Sequence, residues 1–527
     1  MGREYQVEKK ISVEKGRQGL LKVIFGRTTI TILIILVQLL FLLASFSFLQ
    51  EYVLYAYWMS QLMVTGMVIH IINKAGSPEF KMAWIVPILV VPIFGSLFYL
   101  FFHLQSGGNI LNRRIQTLEA ASKNYLQTEP ALKVKIKEED PELANLTQYL
   151  ENHGSFPTFR NTTVKYFPSG EDKFEELRFQ LQKAKKFIFL EYFIIEEGIF
   201  WDSILEVLKK KAAEGVEVRL MYDGTCTLAL LPPHYPKVMK EAGIECKVFA
   251  PIRPALTTSQ NNRDHRKIVV IDSKTAFVGG VNLADEYINK KARFGHWKDT
   301  AVMLRGEAVR SFTEMFLQMW NTTTRHAEDY SNYLEYEGFL GAYGAPGYVI
   351  PYGDNPFDRE QVGEMVYIHM LNTARHYVHI MTPYLILSQE MLVALTFAAK
   401  RGVDVKIIMP YIPDKTYAFA LAKTYYPQLL EAGVKIYEYT PGFVHAKVFV
   451  SDDHKAVVGT INLDFRSLYL HFECAVYMHD VPQIKDIEAD YQATMTKSEM
   501  ITLKTCKKEK LYIKVLGKML RLFAPLM

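Results

Sequence analysis

Cysteine is scarce, with four in 527 residues. Such a chain is not held together by disulfides. Cys226, Cys246, Cys474 and Cys506 show neither C-x-x-C spacing nor a histidine at ligand spacing, so there is no structural zinc signature. Charge of one sign is lacking as well. The 61 basic and 56 acidic residues leave a net charge of +5, little for a protein that tracks a nucleic-acid backbone. Disorder of the whole chain is excluded by 49% apolar and 22% charged residues. Tyr (31) and Phe (32) are abundant, enough to fill large cores or to line a membrane interface. The length suits two to four domains. A mean hydropathy of +0.01 is high for a soluble enzyme, and the excess is concentrated at one end.

Three uncharged runs stand in series there: Thr28 to Leu49, Tyr52 to Ile72 and Met82 to Leu104. The first has 22 residues, and a helix needs about 20 to cross a bilayer. Gly66, Pro87, Pro92 and Gly95 in the other two are residues that membrane helices tolerate. A signal peptide has a shorter apolar core and does not account for three runs. Residues 28–104 are therefore expected to be a multi-pass anchor of about three transmembrane helices, with room for one run to be re-entrant. Residues 1–27 carry Arg3, Lys9, Lys10, Lys15, Arg17, Lys22 and Arg27 against three glutamates, which predicts a cytoplasmic N-terminus.

The remainder reads as α/β and duplicated. Residues 105–152 are polar and predict a linker with one or two short helices. An apolar strand at Phe187–Ile195, a helix at Trp201–Ala213 and a strand at Val216–Tyr222 then recur as Tyr377–Ile386, Gln389–Lys400 and Val403–Pro410. Both copies continue with Glu-Ala-Gly and another strand, at Glu241–Gly243 and Glu431–Gly433. Alternating strands and helices predict a mainly parallel sheet with both faces covered. A repeat this long is too long for a solenoid unit. It predicts two similar domains, over 153–335 and 336–502, facing each other.

The chemistry lies in a repeated His-x-Lys-x4-Asp. The first copy is His265, Lys267 and Asp272; the second, 180 positions on, is His445, Lys447 and Asp452. The offset holds for Gly279 and Gly459 and for Asn282 and Asn462. One copy would be a weak signal; two in register are a strong one. In a strand, residues two apart face the same way, so each copy sets a base or nucleophile beside a cation. Two imidazoles and two ammonium groups suit a phosphodiester. The lysines offset charge on a five-coordinate phosphorus, one histidine attacks it, and the other moves protons to and from the alcohols. No cofactor or metal is called for. A nucleophilic histidine needs an acceptor on its other ring nitrogen. Asp299 is expected beside His265, and Glu473 beside His445. Asp272 and Asp452 are expected to hold loop amides rather than substrate.

The paired motifs resemble the phospholipase D superfamily. Gly459–Thr460 with Asn462–Leu463–Asp464, Arg466–Ser467 and Phe472–Glu473 resembles its bacterial cardiolipin synthases, as do Lys81–Phe101, Thr382–Tyr384 and Arg401–Val405. The resemblance covers roughly residues 75–527. It departs at His471, where the family usually has Asn, which bears on the hydrogen bonding near Glu473. Gly280 also stands where the second copy has Thr460, and an extra apolar run precedes the usual two. The resemblance implies two α/β sandwich domains with the active site at their interface. It implies transfer of a phosphatidyl group between two molecules of phosphatidylglycerol, giving cardiolipin and glycerol, in a bacterial cell membrane. It implies attack by His265 and acid–base work by His445. The alternative is a membrane phospholipase D that passes the group to water or another alcohol; the motif does not separate the two. A nuclease is disfavoured by the apolar runs and the small net charge. The tail, 503–527, interleaves seven basic residues from Lys504 to Arg521 with apolar ones. That pattern suits a helix lying on anionic lipid or one packed on the catalytic domain.

Overall fold

The computed structural model describes residues 36, 40, 53–103, 107–252, 258–324, 328–335, 342 and 344–526. The basic segment 1–27 and, but for residues 36 and 40, the first apolar run 28–49 lie outside the described residues. The chain divides into two compact units, 1–108 with 252–260, and 109–251 with 261–527.

In the first unit the expected transmembrane helices are corrected. Among the described residues no helix is long and apolar enough to cross a membrane. The second run forms one helix, Val53–Asn73, of 21 residues, but Ser60, Gln61, His70 and Asn73 dilute it. The third run is broken. Pro78–Val90 has 13 residues and Pro92–His103 has 12, which at about 1.5 Å per residue falls well short of a hydrocarbon layer about 30 Å thick. The break is at Val91, which is extended at φ −134° because the ring of Pro92 disfavours helical geometry in the residue before it. The two short helices then fold back on each other. A Cβ on Gly95 would stand 2.6 Å from the Pro87 carbonyl oxygen, so only glycine permits this approach. Val64, Ile71, Ile85, Ile88 and Tyr99 form the small core of the unit, while Leu54, Trp58, Leu62, Leu89 and Val90 are exposed.

The second unit holds two sheets. The stretch read as a linker carries the helices Gly107–Ser122, Pro130–Glu139 and Pro141–Gly154. The first sheet contains β1 (Thr162–Phe167), β2 (Phe187–Tyr192), β3 (Glu217–Asp223), β4 (Glu245–Phe249), β6 (Lys267–Ile271), β7 (Thr275–Gly279) and β9 (Ala301–Gly306), in the order β1-β9-β7-β6-β2-β3-β4. The second contains β10 (Tyr348–Asp354), β11 (Tyr377–Met381), β12 (Asp404–Pro410), β13 (Lys435–Tyr439), β15 (Val448–Ser451), β16 (Lys455–Gly459), β17 (His471–His479) and β18 (Ser498–Met500), in the order β10-β17-β16-β15-β11-β12-β13-β18.

The sheets are mixed rather than mainly parallel. Within each main sheet β2-β3-β4 and β11-β12-β13 run parallel, and each of these neighbouring strands is joined to the next through a helical crossover. The motif strands β6 and β15 instead turn straight back into β7 and β16. Each turn has three residues between the paired strand ends, the first two at positive φ, Asp272–Ser273 and Asp452–Asp453, the left-handed geometry of primed hairpin turns. Phe189, Val270 and Val302 of the first sheet share one core with Val450, Val458 and Val476 of the second and with Phe312 and Phe316 of the helix Val309–Trp320. On the outer face of the first sheet, Ile188 and Leu190 pack with Leu177, Ile204 and Leu208 of the helices Gly170–Leu181 and Ile199–Ala213.

Candidate active site

The two lobes are stitched together beside each histidine. A short strand, β5 (Arg263–Asp264), leaves the first lobe and pairs with the start of β17 in the second, Arg263 opposite His471 and Asp264 opposite Phe472. In return β14 (Gly442–Val444) of the second lobe pairs with β8 (His296–Lys298) of the first. His265 and His445 directly follow β5 and β14. Their backbone N–H groups continue the exchange, His265 donating to Phe472 O at 2.9 Å and His445 to Lys298 O at 2.7 Å. The histidines therefore precede their motif strands, in extended segments that belong to the junction of the lobes.

This geometry crosses the expected pairing of histidines and carboxylates. His265 Nδ1 lies 2.8 and 2.9 Å from the two oxygens of Glu473. His445 Nδ1 lies 2.7 Å from Asp299 Oδ2. Each histidine is oriented by the other lobe, because the residue that accepts its backbone N–H immediately precedes the carboxylate. With Nδ1 protonated toward a carboxylate, Nε2 is the free nitrogen on each ring. Both histidines are 7% exposed, and Glu473 and Asp299 are fully buried.

Each lysine is held at its own histidine. Lys267 Nζ donates to His265 O at 2.5 Å, and Lys447 Nζ likewise to His445 O. Burial lowers Lys267 to about 8, and burial with the charge of Lys267 lowers Lys447 to about 7. Burial, Lys447 and Lys267 bring His445 down to about 4, against the pull of Asp299. Burial and Lys267 hold His265 well below its ordinary value despite Glu473. Burial pushes the Glu473 and Asp299 carboxyls up, but their histidines outweigh it and hold both below the usual carboxylate range. The free site thus holds two neutral imidazoles, two carboxylates and two easily titrated ammonium groups.

The two motif aspartates are placed on backbone amides, and the asparagines pack beside the motifs. Asp272 accepts the backbone N–H groups of Lys185, Lys186 and Phe187, and Asp452 those of Arg375, His376 and Tyr377. Both hold the entry to a strand. Asn282 accepts from the Ile194 N–H at 3.0 Å and donates to the Tyr287 hydroxyl at 2.7 Å. Asn462 is buried with its amide oxygen unpartnered.

Other neighbours carried no assigned role. The Thr460 hydroxyl donates to Glu473, and the Trp297 ring lies 5.2 Å from that of His445. Lys173 is fully buried, donates to Val281 O and the Tyr192 hydroxyl at 3.1 Å, and is lowered by burial to about 7. A lysine on the same helical face as Leu177 and Leu181 is the signal by which it could have been found.

Comparison with known proteins fits this arrangement. The family described as cardiolipin synthase, phospholipase D-like domain matches residues 177–320 and 367–495, so both lobes carry it. The chain belongs to the cardiolipin synthase family of phospholipase D-like proteins. A second match, to the phospholipase D-nuclease N-terminal family, covers residues 62–102. A cardiolipin synthase of Halalkalibacterium halodurans is 33% identical over 88% of this chain and 91% of its own length. Cardiolipin synthase 2 of Bacillus anthracis is 34% identical over 88% and 89%. An uncharacterized protein of Streptococcus mutans serotype c is 55% identical over 88% of this chain and all of its own length. Among solved structures, phosphatidylserine synthase of Haemophilus influenzae Rd KW20 superposes with a TM-score of 0.56 at 13% identity, over 73% of this chain and all of that one, a likeness of fold.

Proposed function

We propose that this phosphatidyltransferase moves a phosphatidyl group from one phosphatidylglycerol to the headgroup hydroxyl of a second, through a covalent histidine intermediate. The observation that carries the mechanism is the pair of buried imidazoles, each with Nδ1 held by a carboxylate of the opposite lobe. Membership of the cardiolipin synthase family supports the substrate.

In the first half-reaction Nε2 of His265 attacks phosphorus. The bond from phosphorus to the glycerol headgroup breaks, and the departing oxygen takes a proton from His445. Asp299 favours the protonated form of His445 once the phosphodiester anion is bound. Lys267 and Lys447 offset charge on the non-bridging oxygens. In the second half-reaction His445 takes the proton of the incoming hydroxyl. That oxygen attacks phosphorus, and the bond to His265 breaks. Asp272, Asp452 and Asn282 support the strands and loops that carry these groups.

Lipid substrates place the enzyme at a membrane surface. The C-terminal helix Leu511–Leu520 supports that reading. Gly517 packs it on the helix Thr416–Ala422, where a Cβ would stand 2.4 Å from Ala420 O, while Leu511, Tyr512 and Met519 on its other side are exposed. Lys507, Lys510, Lys514 and Lys518 accompany that apolar stripe.

The test is the product. Purified enzyme with phosphatidylglycerol alone is expected to yield cardiolipin and free glycerol in equal amounts. Phosphatidic acid as the main product would show a hydrolase instead. In the His445→Asn variant, given a donor with a good leaving group, the phosphatidyl adduct is expected to build up on His265 and to be found there by peptide mapping.

A further inference from the structure

His471 is a third histidine in this site, and nothing in the proposed reaction uses it. It is 8% exposed, and among the described residues neither ring nitrogen has a hydrogen-bond partner. Its Nδ1 lies 3.7 Å from Glu473 Oε1, beyond hydrogen-bonding range, and its ring centroid lies 5.6 Å from that of His265. A buried imidazole without a partner forgoes hydrogen bonds that water would have supplied. One nitrogen of His265, one nitrogen of His471 and one oxygen of Glu473 all lie within 4.8 Å of one another.

We infer that His265, His471 and Glu473 form a binding site for a divalent transition-metal ion, with Zn2+ the closest match, and that occupation of this site switches the enzyme off. Two imidazoles and one carboxylate are the donor set of three-ligand zinc sites, which leave a fourth position to water. Mg2+ and Ca2+ demand oxygen ligands and are not matched. Lys267 opposes a cation here, while the carboxylate of Asp464, close enough to His471 for the two to interact, favours it. The ion would act as an inhibitor rather than a cofactor. It draws Glu473 away from its role in orienting His265 and puts His265 itself under a metal. His471 and Glu473 lie two residues apart on β17, while His265 stands 208 residues before Glu473, so the junction of the lobes brings the three donors together.

The binding claim stands on geometry alone; the inhibition rests on the proposed phosphatidyl transfer. Two readouts on the full-length purified enzyme separate them. Co2+ added to the chelator-treated protein is expected to give visible d–d bands of a low-coordinate site, displaced by one equivalent of Zn2+ and absent in His471→Asn. In the turnover assay Zn2+ is expected to inhibit and chelator to restore activity, with Mg2+ without effect. His471→Asn is expected to keep turning over and to need about 100-fold more Zn2+ for half-inhibition, since losing a ligand costs at least what losing an outer-shell partner does. No Co2+ bands in the wild type would overturn the site, and so would bands unchanged in His471→Asn. Should that variant fail to fold, His471→Gln takes its place, and the wild-type spectrum still decides. Metal-dependent bands in a protein that makes no cardiolipin would refute the function and leave the site standing.

Discussion

At the scale of single residues, the two halves of the site differ where their carboxylates differ. A Cβ on Gly280 would stand 2.0 Å from Asp299 Oδ1, so the glycine makes room for the carboxylate that holds His445. At the corresponding place in the other motif, Thr460 has a side chain and uses it to donate to Glu473. The departure of Gly280 from the second copy is thus a consequence of what faces it. Gly280→Ala is expected to displace Asp299 and to lower kcat by about 10²-fold or more, as loss of an orienting carboxylate does; wild-type turnover by a folded variant would refute this. The lysines set a pH limit. Their pKa values in the free enzyme, about 8 for Lys267 and about 7 for Lys447, lie below the ordinary 10.5 because burial disfavours charge. The charged form is the one that offsets phosphate charge, so activity is present below these values and lost above them. A profile of kcat/KM, which reports the free enzyme, is expected to fall between about pH 7 and 8. A profile flat to pH 10 would contradict the role given to the lysines.

At the scale of elements, the aspartates that complete each motif act on backbone. Asp452 accepts three consecutive N–H groups at the entry to β11. Burial raises its carboxyl, but the N–H groups of Tyr377, Arg375 and His376 outweigh it and leave the pKa lowered. A carboxylate with a lowered folded-state pKa contributes stability above its unfolded value of 3.8, and that stability is lost as pH falls through the folded value. Asp452→Ala removes the acceptor of all three N–H groups. It is expected to cost about 1–3 kcal/mol, read as a lower midpoint in urea, while the folded fraction keeps most of its turnover. Loss of activity without loss of stability would place Asp452 in the chemistry instead. The same scale accounts for the corrected helices, where one proline after Val91 divides a run that composition alone reads as continuous.

At the scale of the whole molecule, the exchange of β5 and β14 between the lobes makes each half of the site dependent on the other. Glu473 of the second lobe serves His265 of the first, and Asp299 of the first serves His445 of the second. This distinguishes two variants that pairing within one lobe would interchange. With His265 as nucleophile, Glu473→Gln is expected to suppress formation of the phosphatidyl adduct. Asp299→Asn weakens the base that activates the second alcohol, and with a donor carrying a good leaving group it is expected to let the adduct accumulate. Rapid-quench trapping of the adduct in the two variants checks this, and the reverse pattern would overturn either the crossed assignment or the choice of nucleophile.

The sequence by itself determined the duplication and the α/β class, and it singled out the residues proposed for the centre. Those depend on local spacing, on strand and helix periodicity and on side-chain chemistry, all of which are written along the chain. It also located the carboxylates, because each returns about a strand's length after its asparagine. Which carboxylate faces which histidine was decided only by the tertiary structure. That choice depends on β5 pairing with β17 and β8 with β14, contacts between segments more than 140 residues apart, which no local pattern encodes. Lys173 and Trp297 were missed, and Thr460 was left without a role, for the same reason, since each acquires its role from what folds against it. The third apolar run was overread as one span because uncharged length was counted without the backbone. Pro92 sets the geometry of Val91, and Gly95 then allows the two short helices to close on each other.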